Sequence, residues 1–343
     1  MIENKTYCMS SFLMFRKVMG EYTFKAGVKI KDFKRLEGID YVGNKEDLRS
    51  SIKKKLDKEI DSKTAIMLSG GIDSAILASF MPEGAIAYTL NNVADGATNE
   101  VLKASEFARI NKLDLRIVDV YWDDYIKYAP ILMKSKGAPI HSIEVQIYKA
   151  AMQAKKDGVN KLVFGESADS IFGGLDGLLS KEWTVDEFVA RYSFVLPNKV
   201  LKSYNIIKEP YEKYSENGYM CTHEFISNIF FEESVASYIN ACNLADVQFI
   251  GPYTNMSLKG ELDLDKVRSG NSKYIVRDLF KEIYPNIDMG KKTPMPRPMG
   301  IWLKNWEGPN RPEFLNLDMS KFTGDQKWLL FSLEMFLNML EKH

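Results

Sequence analysis

The chain has 343 residues, with 46 Lys and Arg against 46 Asp and Glu, 45% apolar residues and three cysteines. Length and apolar share exclude a disordered or fibrous chain, and a formal charge of zero argues against a protein built to grip nucleic acid or an anionic membrane. Cys8, Cys221 and Cys242 are too scattered for a disulfide framework or a CxxC site, and no run approaches the roughly 20 apolar residues of a membrane span. With no signal-like N-terminus, the expectation is a soluble, cytoplasmic protein.

Residues 7–18 are apolar and aromatic enough to predict a strand, and residues 22–30 a partner forming a hairpin with it. A helix follows, with Asn44 as N-cap, Glu46 and Asp47 in the first turn, and Leu48, Ile52, Leu56 and Ile60 on one face. Short apolar runs then alternate with helical stretches. The expected strands are 65–68, 85–90, 115–120 and 161–164; the expected helices are 74–80, 98–111, 123–133 and 143–156. That alternation predicts an α/β core built on a doubly wound parallel sheet. After residue 182 helical patterns dominate, at 186–194, 223–241, 272–283 and 325–340. The organisation expected is a hairpin and helix over 1–60, the α/β core over 61–182, and a mostly helical lobe over 183–343 that completes the site. The stretch 290–312, rich in Pro and Gly, reads as an ordered loop because Trp302 and Trp306 are poor residues to leave in water.

The sharpest motif is Ser69-Gly70-Gly71-Ile72-Asp73-Ser74, between a buried strand and an apolar helix. Two glycines let the backbone turn and approach a ligand, and the free N–H groups of the helix start attract a phosphate chain. Ser69 and Ser74 add hydroxyls, and Asp73 a carboxylate for Mg²⁺. The lysine of a Walker A loop is missing, and an ordinary glycine-rich turn is the competing reading. A second motif, Gly165-Glu166-Ser167-Ala168-Asp169-Ser170-Ile171-Phe172-Gly173-Gly174, follows the 161–164 strand and reaches the same sheet edge. Glu166 and Asp169, three apart, can share one helix face.

The first loop resembles the pyrophosphate loop of the N-type ATP pyrophosphatases, and the two motifs together resemble the synthetase domain of the asparagine synthetase family and of β-lactam synthetase, whose second motif reads GExxDExFGG. Lys273-Tyr274-Ile275-Val276-Arg277 is similar to that family's K-x-x-x-R helix. The resemblance covers about residues 48–306 and implies an adenine-nucleotide α-hydrolase-like (PP-loop) fold. It also implies an AMP-forming ligase, which adenylates a small-molecule carboxylate with ATP and Mg²⁺ and passes the acyl group to ammonia or an amine. Carried over, Leu68, Leu90, Phe164 and Gly165 line adenine and ribose. Ser69, Gly70, Gly71, Asp73 and Ser74 hold pyrophosphate, with Lys292 a further motif lysine. Asp73 and Asp169 hold Mg²⁺, Glu166 assists the amine, and Lys273 stabilises charge on the adenylate.

The sequence also departs from the family. About sixty residues precede the loop and Ile2 stands where the glutaminase cysteine belongs, so no glutaminase is expected and nitrogen comes from solution, another chain or an amine substrate. Ser170 replaces a family Glu, and Gln248 replaces an arginine in the segment corresponding to ExRxPFLD, with two residues inserted before Pro252. Lys291, Lys292 and Arg297 could clamp an anionic substrate or form a solvated basic loop. Two alternatives stay open: a nucleotide- or tRNA-modifying enzyme of the same fold, and a catalytically silent nucleotide-binding protein.

Overall fold

Thr64–Met67 is buried at all four positions, which only a strand covered on both faces requires. In the computed structural model, which describes residues 1–31, 33, 38–288 and 295–342, it is β1, the middle of a five-stranded parallel sheet. The other strands are β2 (Ile86–Asn92), β3 (Asp114–Val120), β4 (Lys161–Val163) and β5 (Gln248–Ile250), in the order β5-β4-β1-β2-β3. The chain steps from β1 outward to β2 and β3, then crosses back to lay β4 on the other flank of β1. The switch point therefore lies between β1 and β4, where the carboxyl ends of a parallel sheet open a crevice.

The principal helices are α1 (Lys5–Phe15), α2 (Lys45–Glu59), α3 (Ile72–Ala78), α4 (Val101–Ile110), α5 (Trp122–Lys136), α6 (Ile143–Lys156), α7 (Ala168–Ile171), α8 (Val185–Tyr192), α9 (Phe231–Leu244), α10 (Tyr274–Ile283) and α11 (Gly324–Glu341). Alternation along β1 assigns them to two layers. Ala65 and Met67 pack with residues of α1, α5, α6 and α11, while Ile66 and Leu68 pack with α2, α3, α4 and α10. The doubly wound core and its helical continuation stand as the sequence predicts. Asn44 caps α2, its side chain accepting from the Asp47 N–H at 2.8 Å. Trp302 packs at tilted angles beside Trp122 and Tyr125, and Trp306 edge-on against Phe331, with Met299–Trp302 a short helical turn; residues 290–294 of the expected loop lie outside the described residues.

Two expectations need correction. The predicted strand over 7–18 is the helix α1, capped by Asn4, whose side chain accepts from the Tyr7 N–H at 3.0 Å. Residues 8–15 are all buried, Phe12 and Leu13 in one cluster and Met14 and Phe15 in another, so no polar face marks the helical period. There is accordingly no hairpin: Ile2–Glu3 pairs in parallel with Tyr22–Thr23. The second correction concerns β5, which lies in the segment assigned to a helical lobe yet extends the core sheet beside β4. Three residues are too few to show alternation. No helix of the described residues is long and apolar enough to cross a membrane.

Candidate active site

The loop after β1 is held by its own hydroxyls. Ser74 Oγ accepts from the Ser69 N–H at 3.0 Å and shares a 2.9 Å hydrogen bond with Ser69 Oγ, which in turn accepts from the Gly71 N–H at 3.1 Å. The start of α3 is pinned from behind, with the Tyr253 hydroxyl donating to the Asp73 carbonyl at 3.1 Å and the Tyr284 hydroxyl to the Ala75 carbonyl at 2.7 Å. These bonds fix the N-terminus of α3 and leave Asp73 at its first turn pointing across the switch point.

The loop after β4 lies against this one because Gly165 has no side chain. A Cβ there would come within 2.9 Å of the Ser74 nitrogen and 3.1 Å of the Asp73 Cβ. Ser167 then takes a left-handed backbone, φ 78°, before α7 begins and presents Asp169. Asp73 and Asp169 meet over one cation. Lys273 Nζ is 2.7 and 2.6 Å from the two carboxylate oxygens of Asp73 and 2.9 Å from Asp169 Oδ1. Lys273 stands at the N-cap of α10, also left-handed at φ 53°, and is 3% exposed. A left-handed non-glycine residue at the centre of an ion cluster, as Lys273 is, is characteristic of functional sites. Burial alone pushes the Lys273 ammonium down, but Asp73 and Asp169 outweigh it and carry the pKa up to about 12. Gly174 closes the cluster: a Cβ there would lie 2.1 Å from Asp169 Oδ1 and 2.6 Å from Lys273 Cδ.

Glu166 is half-buried beside this group. Burial raises its pKa above the ordinary carboxylate value; hydrogen bonds from Ser234 and Tyr238 oppose the rise, and the charge of Asp169 adds to it. Ser234 Oγ donates to Glu166 Oε1 at 2.8 Å. The cleft above these groups is lined by Leu68, Ser69, Asp73, Ser74, Leu90, Phe164, Gly165 and Glu166, eight of the residues singled out in the sequence. Gly70 and Gly71 shape its loop, and Lys273 and Asp169 sit behind Asp73. Lys292 lies outside the described residues. Sequence reasoning missed Thr89, Asn92, Glu100, Gln146 and Tyr238, which also line the cleft. Glu100 carries a signal only in retrospect: burial raises its pKa against the opposing Gly70 N–H and Lys103.

The donor set fits Mg²⁺. Two carboxylates from different loops converge on a point that already holds a cationic nitrogen, and Mg²⁺ typically takes one or two carboxylates, keeping its other positions for water and phosphate oxygens. Among the described residues no three His, Cys, Asp or Glu side chains cluster as a self-sufficient metal cage.

A glycine-bearing loop leading into a helix, a second loop on the neighbouring strand and a paired-carboxylate centre at the switch point define a PP-loop, ATP-using synthetase architecture. The family model for asparagine synthase matches residues 44–239, more than half of the chain, and the chain belongs to that family. Among solved structures, an NMN synthetase from Francisella tularensis is similar over 74% of this chain and 97% of that one, at 12% identity and a TM-score of 0.27. A search of the curated proteins returns no significant match.

Proposed function

We propose that the protein is an ATP-dependent, AMP-forming ligase that adenylates a carboxylate and transfers the acyl group to ammonia or another amine. The observation that carries this reading is the convergence of Asp73 and Asp169 on one cation beside Glu166, whose pKa burial raises. In the first step a carboxylate oxygen attacks the α-phosphorus, the bond to the β-phosphate oxygen breaks, and pyrophosphate leaves. The Ser69–Ser74 loop and the start of α3 receive that leaving group through N–H and hydroxyl donors. Asp73 and Asp169 are the residues that would hold Mg²⁺, which would supply further neutralisation of the phosphate charge. In the second step the amine nitrogen attacks the acyl carbon, the bond to AMP breaks, and the nitrogen's surplus proton passes to Glu166. A raised pKa makes that carboxylate a stronger base than an exposed one. Lys273 offsets the charge on the departing phosphate. The nitrogen comes from solution, from another chain or from an amine substrate.

Product analysis tests the reading directly. Incubation with ATP, an accepted acid and ammonia is expected to yield AMP and pyrophosphate in equal amounts, followed by anion-exchange chromatography; ADP with phosphate overturns it. The pH profile tests Glu166 separately. Ser234 holds the Glu166 pKa down, so Ser234→Ala is expected to move the acidic limb of kcat/KM to higher pH and lower the rate near neutrality about threefold to tenfold. A limb that stays in place, or moves to lower pH, removes Glu166 from the role of base.

A further inference from the structure

The core sheet ends on one side in β3, which pairs with β2 alone. The Asp114 N–H bonds to the Ala85 carbonyl and the Val120 carbonyl accepts from the Val93 N–H, so the even-numbered residues of β3 turn their backbone groups inward. Leu115, Ile117 and Asp119 therefore point N–H and C=O outward, and among the described residues no hydrogen bond reaches those groups. Ile117, in the middle, is 54% exposed. Native sheet edges are usually blunted by charge or proline. Here the nearest cation is turned to the other face, where Asp114 and Asp157 hold Arg116 at 2.9 and 2.8 Å.

Alternation fixes what flanks this edge. Val118 and Val120 pack in the layer of α5 and α6 and Leu115 in the opposite one, so Leu115, Ile117 and Asp119 face the layer of α4, which lies over both β2 and β3. On α4, Phe107 packs against Phe280 and Tyr284 and Lys103 abuts Gly70, which marks the inner flank of the helix. Leu102, Ser105 and Arg109, spaced three and four apart, form the flank that overlooks the edge, and Leu102 is 85% exposed. Arg109 overhangs the start of β3, because the Leu113 N–H closes back on the Ala108 carbonyl, whereas Asp119 stands near the other end of the strand. Among the described residues Arg109 has no ion pair, and Asp119 is held by the Asn91 amide at 2.7 Å and by no cation.

We propose that this edge is the interface of a homodimer, in which the β3 strands of two copies pair antiparallel about a two-fold axis at Ile117 and the two sheets become one. Every outward residue then meets an outward residue, Ile117 its own copy and Leu115 Asp119, and each pair exchanges both hydrogen bonds. An axis normal to the sheet keeps the two α4 helices on one face. At a strand spacing of about 4.8 Å the axis stands half a spacing outside β3, and α4, over the gap between β2 and β3, half a spacing inside it; the two helices therefore lie roughly 9.6 Å apart, within the usual packing range of about 8–10 Å. Ser105 is small enough to let them approach, and Leu102 fills the seam. Charge selects the partner and its direction. Reversing the second strand brings the start of that strand, with Arg109 above it, beside Asp119 of the first copy. An unpaired cation thus meets a carboxylate once on each side of the axis, whereas a parallel partner would set like charge beside like.

Sedimentation velocity over about 1 to 100 µM protein tests this, and the wild type is expected to shift with concentration to a species of twice 39.2 kDa. Ile117→Lys puts a charge on the middle of the edge and is expected to raise the dimer Kd at least about tenfold. Asp119→Arg sets two arginines together on each side of the axis and is expected to weaken the dimer by a similar factor, about tenfold. Combining Asp119→Arg with Arg109→Asp restores opposite charges across the axis and is expected to return Kd to within about threefold of wild type. All three positions are exposed, so the substitutions leave the core of each copy intact. A wild type that stays monomeric throughout, a dimer that neither Ile117→Lys nor Asp119→Arg weakens, or a double variant no tighter than Asp119→Arg alone overturns the interface.

Discussion

Asp73→Asn is expected to abolish pyrophosphate exchange, lowering it at least about 100-fold, because it removes a carboxylate aimed at the point where charge develops. The substitution is nearly isosteric, so the loop can keep its shape: the Ser69 and Ser74 hydroxyl bonds and the Tyr253 bond to the residue 73 carbonyl do not use the Asp73 carboxylate. What changes is the electrostatics around Lys273, whose ammonium is paired with both Asp73 oxygens and with Asp169. With Asp73 neutral, burial again pulls the Lys273 pKa down and only Asp169 resists it. Breaking one arm of a buried ion pair costs about 3 kcal/mol, and the surviving Asp169 contact keeps the loss from being larger. Denaturant titration should therefore show a lower midpoint with an unchanged slope, the mark of a destabilised but intact fold. Exchange retained above a tenth of the wild-type rate, in protein that unfolds in this way, removes Asp73 from the chemistry.

How much of this was legible in the sequence follows from how local each signal is. The sheet announces itself because strands buried on both faces are unbroken apolar runs, and the Ser69–Ser74 and Gly165–Gly174 loops because their glycines stand where a side chain would collide, with Lys103 at Gly70, the Ser74 backbone at Gly165 and Asp169 at Gly174. Lys273 was recognisable only through a family resemblance; nothing in its immediate neighbours distinguishes it from a surface lysine, and only the fold brings it to Asp73, 200 residues away. The helix α1 was hidden for the opposite reason. Packed on all sides, it has no polar stripe to reveal its period, and its aromatic content imitates a strand. Ser234 and Tyr238 are single polar residues on one helix, and a single residue has no spacing to read. Their roles come from which helix faces meet after folding, so the candidate nucleotide loops could be found before the structure and the partners of Glu166 could not.

Lys273→Met separates two things that the wild-type protein combines, holding the carboxylates together and taking part in turnover. In the wild type the ammonium occupies the point toward which Asp73 and Asp169 converge, and it competes there with any divalent cation. Methionine fills a similar volume without charge, leaving two carboxylates whose side chains are 19% and 33% exposed to repel one another. The variant is therefore expected to bind Mn²⁺ about ten times more tightly than wild type in the absence of nucleotide, and to gain more stability from it, because the metal now supplies the missing positive charge. Turnover is expected to move the other way, with kcat at least about 100-fold lower, since the charge on departing AMP has lost its counter-ion. Arginine should not rescue it: the backbone of Gly174 lies so close to the Lys273 stem that even a Cβ at position 174 would sit 2.6 Å from Cδ, and a planar guanidinium has no room to turn. The sign of the pH effect gives a further check. The Lys273 pKa is raised from 10.5 to about 12, so its stabilisation is fully present below 10.5 and fades only as pH rises through about 12. Between pH 6 and 9 the stability difference between wild type and Lys273→Met should be flat, and the acidic limb of activity, set by Glu166, should persist in the variant's residual rate. A variant with unchanged Mn²⁺ affinity, or with kcat within tenfold of wild type, shows that Lys273 is only a structural clasp and that the charge on the leaving nucleotide is met elsewhere.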